Sequence, residues 1–301
     1  MTARAAPIVR FSVVESTQTT AFGLAAQGAL DRTVVVADHQ SEGRGRRGRS
    51  WIDAPGSSLL ASILVRPRVA PTLLPTFSIA TAVAVAETLR RATGIEIRLK
   101  WPNDVLARGR KLAGILVESR IGSGLGPGGT EPRRTYGTPP TPGAGPAVPG
   151  PDDATGIGGT EPRRPYGTPP TPGPDPGALV TMVIGVGVNL AQRAFPAELA
   201  DHATSVAIET GRAPDRDAIL ETLLDEFDAW RWRLESHGVG PVRERWLALS
   251  ETIGRRVRVE GVSGVAVGLD VDGALLVDDG RGARRIVAGE IASEATDAAR
   301  R

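Results

Sequence analysis

Residues 97–119 read IRLKWPNDVLARGRKLAGILVES and carry the clearest indications of both fold and function. At the start of this stretch apolar residues alternate with polar ones, a pattern that predicts a β-strand ending at Pro102. Asn103 and Asp104 then lie at the end of the strand, a common place for ligand-binding groups. A second strand begins at Lys111 and is rich in Leu, Ile and Val, as strands buried on both faces are.

Both lysines of the chain lie in this stretch. The sequence contains 36 basic residues, and only Lys100 and Lys111 are lysines. Because arginine cannot replace a compact ammonium at every position, a lysine retained in such an arginine-rich chain is a candidate functional residue. An Asn-Asp pair after a proline is by itself usually only a turn. The two lysines beside it favour a functional site instead.

Helices and strands alternate on both sides of this stretch. Residues 179–190, LVTMVIGVGVNL, predict a buried strand that pairs with residues 112–119 in a hairpin. The alanine-rich segment 76–91 predicts a helix that ends at Gly94. The other predicted elements are a helix over 17–27 capped by Ser16 or Thr17, strands over 33–37 and 58–65, and a helix whose apolar face is formed by Ile219, Leu223, Phe227, Trp230 and Leu234.

An insertion rich in glycine and proline separates the two strands of the predicted hairpin. Residues 121–178 hold 15 of the 37 glycines and 15 of the 24 prolines of the chain. Within the insertion, GGTEPRRTYGTPPTPG (128–143) recurs as GGTEPRRPYGTPPTPG (158–173). The repeat has no apolar face to stack, so its composition predicts disorder rather than a solenoid. The insertion is then one that a surface turn tolerates.

The texture of the sequence changes near residue 255. Short strand-like runs separated by glycine turns, such as GVAVGLDVDG and ALLVDDG, predict a small β-barrel appended to an α/β domain. We therefore predict a first domain, interrupted by 121–178, followed by a small second domain. A chain of 301 residues is long enough for both.

Composition excludes several classes of protein. Cysteine is absent, which excludes disulfides, thiolate nucleophiles and cysteine metal sites. No apolar run approaches the roughly 18 residues that cross a bilayer, and residues 1–7 lack the apolar stretch of a secretory signal. The three histidines, His39, His202 and His237, lack metal-ligand spacing, so we predict no metal site formed by protein groups. These observations predict a soluble cytoplasmic protein.

Residues 43–51, GRGRRGRSW, alternate four arginines with three glycines. Guanidinium groups and exposed backbone amides both suit anionic ligands such as phosphate or carboxylate. The glycines make the loop mobile when it is empty, as a lid must be. The segment alone fits three interpretations equally: a ligand lid, a nucleic-acid patch or a solvated basic loop.

Glycines also occupy alternate positions in residues 184–190, IGVGVNL. Within a buried strand, Gly185 and Gly187 remove side chains from one face, so another group is able to approach closely there. The segment is not a dinucleotide-binding fingerprint, because the third glycine and the following helix are missing.

Taken together and in this order, these segments resemble the catalytic domain of biotin–protein ligases. GRGRRGR-x-W, KWPNDV, RKLAGILVE and IGVGVNL match the family pattern over roughly residues 8–250 without the insertion. Glu15-Ser16-Thr17-Gln18 resembles the Ser-Thr-Asn element of the family, with Gln18 in place of the usual Asn. The resemblance implies an α+β catalytic domain over 8–250, interrupted by 121–178, with a mixed β-sheet and helices like those of class II synthetases. It also implies a small carboxy-terminal SH3-like barrel over 251–296.

The resemblance also implies a reaction and a set of site residues. Biotin is activated by ATP, with Mg²⁺ present, to biotinyl-5′-adenylate and is then transferred to a lysine of a carrier protein. The residues that match the biotin-binding positions are Ser16, Thr17, Gln18, Gln40, Arg44, Gly45, Arg46 and Lys111, and of these Arg46 and Lys111 match catalytic positions. Arg49, Asn103, Asp104 and Asn189 match the nucleotide side.

Partners follow from the same resemblance. The acceptor would be the biotin carboxyl carrier protein of a biotin-dependent carboxylase, and the ligase itself a monomer or weak homodimer. Some members of the family carry an amino-terminal winged helix-turn-helix that represses biotin synthesis. The catalytic match here begins within about ten residues of the start, so we predict no DNA partner; nor do we predict a membrane partner.

The sequence leaves two alternative functions open. A lipoate ligase or octanoyl transferase shares the catalytic fold, although KWPND and the arginine–glycine segment favour biotin. A nucleic-acid-binding protein that uses Arg44 to Arg49 would need an aromatic stacking surface, for which only Trp51 is available nearby.

Overall fold

A seven-stranded mixed sheet forms the centre of the protein. The computed structural model describes residues 7–122 and 179–291. The strands are β1 (Ile8–Val14), β2 (Val34–Gln40), β3 (Ser58–Val65), β4 (Ile97–Lys100), β5 (Asp104–Ala107), β6 (Arg110–Gly122) and β7 (Leu179–Asn189). Their order in the sheet is β1-β2-β3-β7-β6-β5-β4, and only β1 and β2 run parallel.

Helices cover both faces of the central strands. They are α1 (Thr17–Ala26), α2 (Thr76–Thr93), α3 (Val206–Thr210), α4 (Arg216–His237) and α5 (Gly240–Leu249). The main core packs α2, α4 and α5 against one face of the sheet, whereas Phe22 of α1 packs with Leu64 and Val183 on the other face. Burial on both faces explains why every residue of β3 is buried and why its sequence is almost continuously apolar.

A second, four-stranded antiparallel sheet follows α5. It contains β8 (Arg256–Val259), β9 (Val262–Leu269), β10 (Leu275–Asp278) and β11 (Ala283–Ile286), in that spatial order. Trp101 joins the two sheets, because its backbone N–H donates to Thr252 Oγ1 at 3.0 Å and its indole N–H donates to the Gly273 carbonyl at 3.1 Å. The turn after β4 is thus held from the side of the carboxy-terminal domain.

The predicted α+β architecture with a separate β domain is confirmed. Ser16 caps α1, Gly94 ends α2 in the left-handed conformation with φ 69°, and β3 spans the predicted residues. The predicted hairpin is present as β6 and β7, which pair from Ala113–Val188 to Gly122–Leu179. The boundary between residues 250 and 251 stays a prediction and falls between α5 and β8.

Other elements differ from the prediction. Pro102 ends β4 as expected, but Asp104 does not simply follow the strand, because it begins the short strand β5. The elements β1, α3 and α5 have no counterpart in the prediction. The strand β6 continues two residues into the predicted insertion, and the predicted disorder and the repeat within 123–178 lie outside the described residues. In the described part of the chain no helix is long and apolar enough to cross a membrane.

The register of β6 and β7 generates a prediction about the insertion. Gly122 and Leu179 are directly paired, so the chain ends on either side of residues 123–178 already lie at the spacing of a hairpin. We expect that replacing 123–178 with Asn-Gly, a preferred two-residue hairpin turn, leaves a single cooperative thermal transition within a few degrees of the parent protein. Loss of cooperative unfolding, measured by circular dichroism, would show instead that the fold requires the segment.

Candidate active site

One cleft of about 450 Å³ opens on the face of the sheet that α1 partly covers. It lies between the amino-terminal end of α1, the segment 43–51, the β4–β5 turn and the segment after β7. All the site residues expected from the sequence line this cleft: Ser16, Thr17, Gln18, Gln40, Arg44, Gly45, Arg46, Arg49, Asn103, Asp104, Lys111 and Asn189.

Buried polar side chains line the cleft beside α1. Ser16 caps the helix, with its Oγ accepting from the Gln18 N–H at 3.3 Å. The Thr17 N–H and hydroxyl both donate to Gln40 Oε1, at 2.8 and 3.1 Å. Ser62, which the sequence did not single out, donates to Thr17 Oγ1 at 2.8 Å. Because each of these groups is satisfied by another, their orientations are fixed before any ligand binds.

Gln18 extends this polar cluster to β6. Its amide nitrogen donates to Glu118 Oε2 at 2.9 Å and to the Leu116 carbonyl at 3.4 Å, while its Oε1 accepts from the Ser62 hydroxyl at 3.3 Å. The other carboxylate oxygen of Glu118 pairs with Arg44 Nη2 at 2.7 Å. Glu118, also unexpected from the sequence, therefore joins the cluster beside α1 to the segment 43–51.

Lys111 and Asp104 form an ion pair in the cleft. The Lys111 ammonium lies 2.6 Å from Asp104 Oδ1, with about a third of the lysine side chain and a quarter of the aspartate side chain exposed. The backbone of Lys111 is held by the segment after β7, since its N–H donates to the His202 carbonyl and its carbonyl accepts from the Thr204 N–H, both at 2.8 Å. The position of the ammonium is thus fixed by both main-chain and side-chain contacts.

Trp51 packs over a part of the sheet that has no side chains. A Cβ atom built on Gly187 would lie 2.7 Å from the Trp51 ring, and one built on Gly114 would lie 3.1 Å from Lys111 Cε and 3.2 Å from the ring. The expected close approach at the alternating glycines is confirmed, with Gly185 facing Gln18 and Gly187 facing Trp51. The ring is partly buried and lines the cleft.

The four arginines of the segment 43–51 differ in their partners. Arg44 pairs with Glu118, Arg47 with Glu260 and Arg49 with Glu290. Arg46 instead donates to the neutral Asn103 Oδ1 at 3.3 Å. Among the described residues it has no carboxylate within ion-pair distance. Burial is the main reason, and the nearby Arg47 charge a further one, that the pKa of the half-buried Arg46 is lowered from its ordinary value.

Asn103 and Asn189 are both held by backbone groups. Asn103 donates to the Ile115 carbonyl at 2.7 Å, which leaves its Oδ1 to face Arg46. Asn189 donates to the Thr204 carbonyl at 3.0 Å and accepts from Gln192 at 3.3 Å. Asn189 therefore anchors the segment after β7, a contact that its position in the sequence did not indicate.

Known proteins match this fold and this sequence. Residues 10–126 match the biotin/lipoate A/B protein ligase family, and residues 252–292 match the biotin protein ligase C-terminal domain. The biotin–[acetyl-CoA-carboxylase] ligase of Paracoccus denitrificans is 31% identical over 286 residues, which cover 92% of this chain and 96% of that protein. The chain belongs to the biotin–protein ligase family.

Other members of the biotin–protein ligase family agree. The biotin–[acetyl-CoA-carboxylase] ligase of Mycobacterium tuberculosis is 31% identical over 288 residues, covering 92% of this chain and 85% of that protein. A biotin protein ligase from Aquifex aeolicus, solved in complex with biotin and ATP, has the same fold with a TM-score of 0.68 at 24% identity. That match covers 95% of this chain and 97% of the Aquifex chain.

The packing of Trp51 generates a prediction. We expect Gly187→Ala to fold, because the ring is able to move away, but to expose Trp51 to water and shift its emission to longer wavelength. The contribution of Trp51 is obtained by subtracting the spectrum of the corresponding Trp51→Phe protein in each background.

Gly23→Ala is the matched control, since a Cβ atom at Gly23 would meet no atom within 4 Å. Gly23 lies inside α1, so this control should be more stable by about 0.5–1 kcal/mol with unchanged Trp51 emission. An unshifted Trp51 spectrum in Gly187→Ala would contradict the packing described above.

Proposed function

We propose that this chain is an ATP-dependent biotin–protein ligase. The observation that carries the proposal is that Lys111 and Arg46 meet the buried polar cluster of Thr17, Gln18 and Gln40 in one cleft of a protein of this family. An oxygen of the biotin carboxylate attacks the α-phosphorus of ATP, forming biotinyl-5′-adenylate while the α–β phosphoanhydride bond breaks to release pyrophosphate. The amine of a carrier lysine then attacks the acyl carbon, forming an amide and releasing AMP and a proton.

The side chains divide the work along the cleft. Ser16, Thr17, Gln18 and Gln40 bind the ring system of biotin, for which a fixed set of hydrogen-bonding groups is suitable. Preorganisation of this kind reduces the entropy cost of binding. Glu118 is placed to orient Gln18, because it accepts a hydrogen bond from the Gln18 amide.

Lys111 lies where the two anions have to meet. Biotin carboxylate and the α-phosphate repel one another, and a fixed ammonium in a cleft closed to water offsets that repulsion most where charge accumulates. The pairing with Asp104 keeps the ammonium in place in the empty cleft, so little reorganisation is needed when substrates bind.

Arg46 serves as the arginine that receives an anion. Three neighbouring arginines already pair with carboxylates, whereas Arg46 donates to a neutral amide oxygen and has no carboxylate of the described residues within ion-pair distance. A desolvated cation without a carboxylate is poorly compensated, and a bound carboxylate or acyl phosphate supplies the missing charge. Arg44 and Gly45 extend the same cover over biotin.

Arg49, Asn103, Asp104 and Asn189 bind the nucleotide in this proposal, and Asn103 and Asp104 lie next to Arg46 and Lys111. Mg²⁺ neutralises phosphate charge when ATP is bound. No group of three or more His, Asp or Glu side chains that could hold a metal ion occurs within residues 7–122 and 179–291. In this proposal Mg²⁺ would therefore be held mainly by the phosphate oxygens of ATP, with Asp104 as one carboxylate ligand.

The acceptor in this proposal is a carrier domain of a biotin-dependent carboxylase. This fits the printed names of the Paracoccus and Mycobacterium relatives, both biotin–[acetyl-CoA-carboxylase] ligases. Action in the cytoplasm, as a monomer or weak homodimer and without a DNA partner, belongs to the same proposal.

The test of the proposal is pyrophosphate exchange into ATP. We expect exchange in the presence of biotin and none above background with lipoate or octanoate, because the polar cluster of Thr17, Gln18 and Gln40 binds the ring system of biotin. Exchange with lipoate but not with biotin would assign the chain to the lipoate ligases. If none of the three acids supported exchange, acyl adenylation would be rejected altogether.

Lys111 gives the sharpest single-residue prediction. Lys111→Gln removes the ammonium between the two anions, so we expect biotin-dependent exchange to fall by about 10²–10³. Unfolding free energy should change by less than about 1 kcal/mol, because the pair with Asp104 is partly exposed. Lys111→Arg keeps the charge but is larger and planar, and should restore only part of the rate.

Arg98→Gln is the control for loss of a cation. Arg98 is exposed on β4 and pairs with Glu96, away from the cleft, so exchange should stay at the parent rate. Near-parental exchange in a well-folded Lys111→Gln protein would remove Lys111 from the mechanism.

A further inference from the structure

The segment 43–51, here called the lid, is held partly by the carboxy-terminal domain. Arg47 contacts Glu260 in the turn between β8 and β9, and Arg49 Nη1 lies 2.6 Å from Glu290 Oε1, beyond β11. Glu290 also lines the cleft, whereas Arg47 and Glu260 do not. Two ion pairs therefore connect the lid to a domain that supplies none of the expected substrate-binding residues.

Backbone conformation supports a purpose for the Arg47–Glu260 pair. In the described part of the chain only four residues other than glycine have positive φ, and two of them are Arg47 at 57° and Glu260 at 48°. This conformation is unfavourable for a residue that carries a Cβ atom. Glu260 and Gly261 form a two-residue turn with positive φ at both positions, where Asn-Gly or Asp-Gly is the preferred sequence. A glutamate there serves the contact that its side chain makes rather than the turn.

Gly289 brings the second carboxylate to the same place. A Cβ atom on Gly289 would lie 2.4 Å from Val259 Cγ1 and 3.1 Å from Glu260 Cγ. Only a residue without a side chain allows the backbone to pass this close to the end of β8. The close approach places Glu290 next to Glu260, so both carboxylates face the arginines of the lid.

We propose that Glu260 and Glu290 form a latch by which the carboxy-terminal domain holds the lid over the cleft, with Arg47 and Glu260 as positioning residues that do not touch substrate. The inference rests on the proposed function in one respect, namely that the lid covers an adenylate. The latch retains the reactive adenylate until a carrier arrives, because a closed lid excludes water from the anhydride.

The strength of the latch suits a lid that opens in every catalytic cycle. Arg47, Glu260, Arg49 and Glu290 each have about half of the side chain exposed. An ion pair this exposed shifts an equilibrium by at most about fivefold and is screened by salt. The latch therefore biases the lid towards closure without locking it.

A charge-exchange cycle on Arg47 and Glu260 tests the latch. The variants are Arg47→Glu, Glu260→Arg and the double variant, with Glu260→Gln as a variant that introduces no repulsion. In the protein without substrates, we expect hydrogen exchange of lid amides to rise about two- to fivefold in each single variant and to return towards the parent rate in the double variant. Addition of salt should shrink these differences.

The same variants are then measured with substrates. Loss of biotinyl-adenylate from the enzyme should quicken by a similar factor in the single variants and recover in the double variant, while the rate of adenylate formation at saturating substrate stays at the parent value. The exposed pair between Glu96, just before β4, and Arg98 on β4 gives a matched cycle that should change neither measurement.

The outcomes separate the latch from the proposed function. Lid exchange that is unchanged in Glu260→Gln and Glu260→Arg, or that the double variant fails to restore, overturns the latch, and this measurement requires no activity. Absence of biotin-dependent pyrophosphate exchange in the parent protein overturns the proposed function instead and leaves the hydrogen-exchange result standing.

Discussion

Gly114 and Gly187 lie directly opposite each other on β6 and β7, and the cleft depends on this register. The two glycines leave a bare area on one face of the sheet, which the Trp51 ring occupies. A slip of one residue would turn either Ile115 of β6 or Val186 of β7 towards the cleft, because side chains alternate between faces along a strand. Both of these residues now pack in the main core, so the same slip would also remove apolar side chains from it. Folding and site formation are thus set by one pairing.

Charge balance around this bare area distinguishes the cations of the cleft. Lys111 has Asp104 as its partner, and three arginines of the lid each have a glutamate. Arg46 is half-buried against an amide oxygen, with its pKa lowered chiefly by desolvation. A site with every cation paired would bind anions only by breaking pairs, whereas Arg46 and Lys100, which line the cleft without an ion pair to any described residue, give an anion a favourable place to bind. The asymmetry is therefore a property of the empty protein that suits it to acidic substrates.

Local patterns in the sequence predict most of the elements, whereas the twelve expected residues that line the cleft were assigned through the resemblance to biotin–protein ligases. Alternation, helix caps and close-packed glycines each leave a signature within a few residues. Glu118, Glu260 and Glu290 have no such signature, since their contacts are with arginines far away in the chain. The sequence shows that residue 18 is Gln where the family has Asn, but it does not show which contact the longer side chain makes. The longer side chain makes a contact with Glu118 that is 100 residues distant.

The stretch around Trp101 shows how the two domains come to share one site. Lys100, Asn103 and Asp104 face the cleft, while Trp101 between them points the other way and donates to the carboxy-terminal domain at Gly273. The Trp101 N–H is also bound by Thr252, which precedes β8. The carboxy-terminal domain therefore holds the β4–β5 turn through Trp101, on the side away from the cleft, and pairs with the lid through Glu260 and Glu290. Arg46 of the lid donates to Asn103 of that turn, so both partners of this hydrogen bond belong to segments that the carboxy-terminal domain contacts. The same small domain therefore supports both the lid, through two exposed ion pairs, and the turn, through directional hydrogen bonds and the apolar core that the two domains share.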